Sequence, residues 1–106
     1  MNLKNFMNNK YLVQLKTLVL TALKEESVQV VLFGSQARGD HNRASDVDIG
    51  IIPLQKWAVD KRKLSALKEK IENLNIPYKV ELVNLALVDG SFRAEVLKDA
   101  ILWKEK

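Results

Sequence analysis

The chain has 106 residues, of which 47% are hydrophobic and 28% charged, a composition typical of one soluble globular domain. It contains no cysteine, which excludes disulfides and thiolate metal sites and fits a cytoplasmic protein. The net charge of +4 favours an anionic partner but is too small to argue for nucleic acid by itself. Because no stretch reaches the ~20 apolar residues of a membrane span, we expect a single domain over residues 1–106 without a membrane segment.

The first half of the chain predicts one helix and one strand. Apolar residues at helical spacing predict an amphipathic helix over about residues 9–26. The β-branched run Val28–Phe33 predicts a buried strand that ends at Gly34-Ser35. At most one helical turn fits between Ser35 and Gly39 before a loop follows.

The second half continues the alternation of helices and strands. A strand is predicted from Asp46 to Ile52, and a long helix over about residues 57–74. A third strand, Tyr78–Leu85, precedes a short helix near residues 91–98, and residues 100–103 are a candidate fourth strand. The order α-β-α-β-α-β-α predicts an α/β (α+β) fold in which helices flank a small mixed β-sheet.

Two carboxylates on the second strand are the first candidate for chemistry. Side chains alternate along a strand, so Asp46 and Asp48 project to one side while Val47 and Ile49 face the core. Gly50 continues the acidic face and is expected to leave room for a ligand. Two like charges at this spacing repel, and a divalent cation offsets that cost. Carboxylate oxygens suit magnesium, and manganese accepts the same ligands.

Glu81 is the third candidate acid, because it lies within an otherwise apolar predicted strand. If that strand lies beside the second one, Glu81 completes a cluster with Asp46 and Asp48. Three carboxylates can hold two metal ions ~3.5–4 Å apart, the arrangement used for in-line displacement at phosphorus.

The turn after the first strand is a candidate phosphate site. Glycine permits a close approach of backbone N–H groups to phosphate oxygens at Gly34, and Ser35 adds a hydroxyl donor. Arg38 follows three residues later with a planar fork of donors. Together with the acids, this turn predicts a metal-dependent site for the phosphates of a nucleoside triphosphate.

Each of these signals also has a plainer interpretation. Gly34-Ser35 is compatible with an ordinary turn, Asp46-x-Asp48 with the start of a strand, and Glu81 with a solvent-facing edge residue. Trp57 and Trp103 are interpreted as packing anchors rather than base-stacking residues. The pattern becomes specific only as a combination of a strand, Gly-Ser, Asp-x-Asp on a second strand and an acid on a third.

That combination resembles the nucleotidyltransferase superfamily that includes DNA polymerase β and the aminoglycoside nucleotidyltransferases. The motif runs over residues 33–39 and 45–49, and the match is closest to the minimal nucleotidyltransferase (MNT) antitoxins. The resemblance implies that Asp46, Asp48 and Glu81 are the catalytic metal ligands. It also implies that Gly34 and Ser35 bind phosphate with support from Arg38. Glu81 departs from the family pattern, since close relatives often have Asp there.

The resemblance also implies a biological role. Antitoxins of this class are typically encoded beside a helical HEPN ribonuclease toxin and neutralise it by transferring AMP from ATP onto a tyrosine. The implied function is therefore a magnesium- and ATP-dependent protein adenylyltransferase that acts as the antitoxin of such a pair. Nucleic acid is not the expected partner, and the sequence leaves homodimers and hetero-oligomers both open.

Two other functions remain open at this point. In the first, the chain neutralises or scaffolds a partner by contact alone and the nucleotide site is vestigial. In the second, the chain adds nucleotides to RNA or to a small molecule such as an aminoglycoside. Retention of all three acids favours catalysis over the first, and the lack of an acceptor-binding domain argues against the second.

Overall fold

The computed structural model describes residues 10–34, 37, 46–55 and 59–105. Its elements are, in chain order, α1 (Lys10–Ala22), β1 (Val28–Phe33), β2 (Asp46–Pro53), α2 (Lys61–Glu72), β3 (Lys79–Asn84), α3 (Gly90–Lys98) and β4 (Ile101–Lys104). The helix predicted between β1 and β2 lies outside the described residues except at Ala37. The predicted short helix near residues 91–98 is α3, and the candidate fourth strand is β4, which pairs with β1.

The four strands form one mixed sheet in the order β3-β2-β1-β4. β1 pairs antiparallel with β2 and β4, whereas β2 pairs parallel with β3. A parallel neighbour requires a crossover, and α2 provides it between β2 and β3. The predicted small mixed sheet flanked by helices is confirmed.

Helices cover the two faces of this sheet unequally. The buried core on one face joins α1 and α2 to the inward side chains of β1 and β2, and includes Leu15, Val19, Ile49 and Leu67. A smaller cluster on the opposite face packs α3 against β1. No helix among the described residues is long and apolar enough to cross a membrane.

The helix boundaries differ from the predicted ones for local reasons. The second helix was predicted from residue 57 but begins at Lys61, because the Asp60 side chain accepts a hydrogen bond from the Arg62 backbone N–H at 2.7 Å and caps it. The first helix ends at Ala22 rather than near residue 26. A turn follows it, in which the Glu26 N–H donates to the Leu23 carbonyl at 3.0 Å.

Hydrogen bonds join the end of β4 to that turn. The Lys104 ammonium donates to the backbone carbonyls of Glu26 and Val28 at 3.0 and 3.1 Å. Trp103 is buried in the main core, as expected of a packing anchor, while Trp57 lies outside the described residues. The short edge strand therefore closes the side of the sheet that lies away from β3.

Candidate active site

The candidate site lies where one end of β1 meets the beginnings of β2 and β3. In the antiparallel β1–β2 pair, Phe33 at the end of β1 lies opposite Asp48. In the parallel β2–β3 pair, Asp46 lies beside Lys79 and Asp48 beside Glu81. Neighbouring positions of a ladder point to the same face, so the three acids share one face of the sheet.

The acids differ in their exposure. Asp46 and Glu81 are exposed, and Asp48 is half-buried between them and the end of β1. Together with Lys79 they line a shallow pocket. The conditional prediction that β3 lies beside β2 is therefore confirmed, and with it the proximity of Glu81 to the Asp pair.

Gly34 passes directly over the Asp48 carboxylate. Its φ of +75° lies in the left-handed region that side chains with a Cβ rarely adopt. A Cβ built at Gly34 would lie 3.3 Å from Asp48 Cγ and closer still to Oδ2. Both the backbone conformation and the neighbouring carboxylate therefore require glycine at this turn. Ser35 and Arg38, the other two predicted phosphate ligands, lie outside the described residues.

Gly50 does not serve the purpose predicted for it. It was expected to leave space for a ligand on the acidic face, but that space holds Leu85. A Cβ at Gly50 would lie 2.6 Å from Leu85 Cδ1 and 2.9 Å from Val31 Cγ2. Leu85 is held there because its N–H donates to the Ile51 carbonyl at 2.8 Å. Gly50 is thus a packing position.

Lys79 is the residue of this pocket that sequence reasoning missed. It lies two residues before Glu81 on β3, so the alternation of side chains already put both on one face. Its ammonium group adds a positive charge beside Asp46 in a cluster of three acids. Such a charge lowers the repulsion between the carboxylates and is suited to an anionic ligand.

The donor set fits a hard divalent cation, since three carboxylates occupy adjacent positions of the sheet. Gly34, which has no Cβ, lies against the Asp48 carboxylate. As they stand, no three acidic or histidine side chains within the described ranges converge closely enough to hold an ion. A bound cation would therefore require the exposed side chains of Asp46 and Glu81 to turn towards Asp48.

Comparison with known proteins decides the family. Residues 16–106 match the family model described as Polymerase beta, Nucleotidyltransferase. The chain belongs to this nucleotidyltransferase family. It is 30% identical over 84 residues to a protein of Methanocaldococcus jannaschii that carries the provisional name protein adenylyltransferase; the match covers 79% of this chain and 77% of that protein.

A second relative is the MntA protein of Haemophilus influenzae, also provisionally named a protein adenylyltransferase. It is 32% identical over 77 residues, which cover 70% of this chain and 63% of MntA. The chain thus spans somewhat less than two thirds of MntA. Family membership makes the chain a nucleotidyltransferase, and the resemblance stated from the motif is confirmed.

Two solved structures share the fold. One is a toxin–antitoxin complex with AMP-PNP, which matches with a TM-score of 0.64 at 20% identity over 86% of this chain and 73% of that one. The other is a mutant MntA–HpeT toxin–antitoxin complex, with a TM-score of 0.63 at 17% identity over the same shares of the two chains. At these identities the likeness establishes the nucleotidyltransferase fold.

Proposed function

We propose that this chain transfers AMP from ATP to a hydroxyl group of a partner protein and serves as the antitoxin of a toxin–antitoxin pair. The observation that carries the proposal is the row of Asp46, Asp48 and Glu81 across β2 and β3, at the end of the sheet where Gly34 turns. It is supported by the names of both relatives and by the toxin–antitoxin complexes that share the fold. The proposed partner is a helical HEPN-type toxin, and the proposed location is the cytoplasm.

Asp46, Asp48 and Glu81 would hold magnesium, or manganese in its place, and the metal would supply charge neutralisation at the phosphates when bound. The backbone at Gly34 and the hydroxyl of Ser35 would bind phosphate oxygens, with Arg38 in support. In the transfer, the acceptor oxygen bonds to the α-phosphorus and the bond to pyrophosphate breaks. The proton of the acceptor hydroxyl passes to a carboxylate, and Glu81 is suited to this because it is exposed beside Asp48.

The partner supplies much of the acceptor-binding surface in this proposal. Among the described residues, α3 covers the other half of the sheet face that carries the acids, and Asp46 and Glu81 are exposed, so a second protein would have access to them. A helical partner that presents a tyrosine or another hydroxyl to this face would complete the site.

The test uses ATP labelled at the α- or the γ-phosphate, with magnesium and the protein encoded by the neighbouring gene. The proposal predicts that the α-label remains on the partner after denaturation and that the γ-label does not, because pyrophosphate leaves. Chelation of the metal abolishes labelling. Asp48→Asn loses labelling, whereas Glu69→Gln, at an exposed acid on α2, retains it.

The remaining functions give different results in the same assay. If the partner acquires no label and an Asp46→Asn, Asp48→Asn double variant still protects cells, the chain acts by contact alone. If the α-label appears on tRNA or an aminoglycoside and not on the protein, the acceptor is wrong although the chemistry stands.

A further inference from the structure

A second pocket adjoins the acidic row, between the end of β1 and helix α3. It is lined by Phe33, Gly34, Phe92, Glu95, Val96 and Asp99. Phe33 is the cross-strand neighbour of Asp48, and Gly34 is the turn that passes over the Asp48 carboxylate. The pocket therefore begins at the proposed phosphate site and extends away from the acids towards α3.

The lining of this pocket combines an apolar floor with an aromatic rim. Phe33 and Val96 form the floor and are buried in the cluster beneath α3. Phe92 stands at the rim with 48% of its surface exposed, which leaves a large aromatic side chain accessible to a ligand. Aromatic faces of this kind stack on nucleobases, a contact that tolerates any base.

Two carboxylates give the pocket a polarity opposite to that of a phosphate site. Glu95 and Asp99 are both exposed and, when ionised, only accept hydrogen bonds. They repel phosphate and accept from amino or hydroxyl groups. Glu95 forms an ion pair with Lys98 at 3.2 Å, but both side chains are exposed, so a ligand can displace it at little cost.

We propose that this pocket binds the nucleoside part of the triphosphate, with the Phe92 ring stacked on the base and Glu95 and Asp99 accepting hydrogen bonds from its amino group or from ribose hydroxyls. The inference rests on the phosphate site proposed above and adds a determinant of nucleotide selectivity to it. Because the carboxylates accept and never donate, the pocket favours a base with an exocyclic amino group over one with a carbonyl oxygen at that position.

Direct binding measurements test the stacking contact without any acceptor. Titration calorimetry with magnesium compares ATP with inorganic tripolyphosphate, which has the phosphates but no nucleoside. Phe92→Ala is expected to weaken ATP binding about 10-fold and to leave tripolyphosphate binding unchanged. Phe92→Tyr retains the ring and wild-type affinity.

The matched control is Leu97→Ala on the same helix. The exposed fraction of Leu97, 43%, is similar to the 48% of Phe92, but Leu97 is not among the residues that line the pocket. It is expected to leave the affinities for ATP and for tripolyphosphate unchanged. Equal ATP affinity in Phe92→Ala and wild type, or equal losses for ATP and tripolyphosphate, would overturn the proposal.

Base and ribose contacts are separated by two pairs of ligands. CTP and UTP differ at the position where one has an amino group and the other a carbonyl, and ATP and dATP differ only in the 2′-hydroxyl. Wild type is expected to bind the two ligands of at least one pair with affinities that differ by about 5-fold or more, as one hydrogen bond to a charged group would give. A Glu95→Gln, Asp99→Asn double variant should lose that discrimination. No discrimination in the wild type overturns the role of the carboxylates.

These outcomes are distinguishable from failure of the proposed function. If ATP binds as predicted but no protein is labelled, the nucleoside pocket stands and the acceptor is wrong. If wild type binds neither ATP nor tripolyphosphate with magnesium, the phosphate site and the nucleoside pocket fall together.

Discussion

The two faces of β2 carry different kinds of residue. Val47, Ile49 and Ile51 are fully buried beneath α1 and α2, whereas the alternating Asp46 and Asp48, on the opposite face, are exposed and half-buried respectively. The period of two along the strand thus separates packing from chemistry, residue by residue. A pair of acids is tolerated in this strand because only the opposite face of the strand is buried in the core.

The largest effect that this comparison predicts is on activity. Asp48→Asn removes a charge from the acidic face at nearly constant volume, so we expect AMP transfer to fall by about 1000-fold or more, as loss of several kcal/mol of charge stabilisation implies. The rate of α-label transfer to the partner measures it. A rate within 10-fold of wild type would contradict a catalytic use of this face.

The buried face predicts the opposite behaviour. Ile51→Ala leaves a cavity among fully buried side chains and should lower the free energy of unfolding by about 2–5 kcal/mol. Urea unfolding followed by circular dichroism measures the loss. The fraction that remains folded should transfer AMP at close to the wild-type rate. A loss of transfer rate per folded protein as large as that of Asp48→Asn would contradict separate roles for the two faces.

A third prediction concerns the covered half of the acidic face. Gly50→Ala places a methyl group against Leu85 and Val31 and should destabilise the fold by about 1–3 kcal/mol through overpacking. Gly90→Ala is the matched control, because a Cβ there meets nothing within 4 Å. It should leave stability unchanged or slightly raised.

A double-mutant cycle sharpens that prediction. If Leu85 is what Gly50 accommodates, Leu85→Ala should absorb part of the cost of Gly50→Ala, and the two losses of unfolding free energy will not add. Additive losses would mean that Gly50 is required for another reason, such as access of a ligand.

The smallest expected effect lies far from the acids, at the start of α2. A hydrogen bond from the Arg62 backbone N–H, followed by one from its side chain, lowers the pKa of Asp60 below 3.8. A lowered pKa in the folded state stabilises the fold above pH 3.8, and this contribution is lost as the pH falls through the lower folded value. Asp60→Asn keeps an acceptor but does not titrate. The urea midpoint of unfolding should therefore fall further between pH 5 and pH 3 in wild type than in Asp60→Asn. Equal falls in the two proteins would show that the charge of Asp60 does not contribute to stability.

Local patterns predicted most of the elements and the face on which the acids lie. Val28–Phe33 was bounded correctly because a β-branched run between Ser27 and Gly34 offers few alternatives. Alternation put Asp46 and Asp48 together, since it depends only on the strand itself. The helix start at Lys61 was missed because the apolar period continued upstream of the capping residue, Asp60.

The order of the strands and the packing between distant segments of the chain could not be predicted in the same way. The register of Asp48 with Glu81 depends on which strand lies beside β2, and sequence reasoning could only state it as a condition. The partner of Gly50 is Leu85, 35 residues later, and no local signal connects them. The pocket between β1 and α3 joins Phe33 to Phe92, 59 residues later, so Phe92 carried no signal in its own segment.

The binding of manganese, with ATP, tests directly whether Asp46 and Asp48 form a metal site. Electron paramagnetic resonance of Mn²⁺ reports free and bound ion without an acceptor or a product. We expect wild type to bind Mn²⁺·ATP, the Asp46→Asn, Asp48→Asn double variant to lose this binding, and Ile51→Ala to retain it in its folded fraction. Equal binding by wild type and the double Asn variant would contradict it.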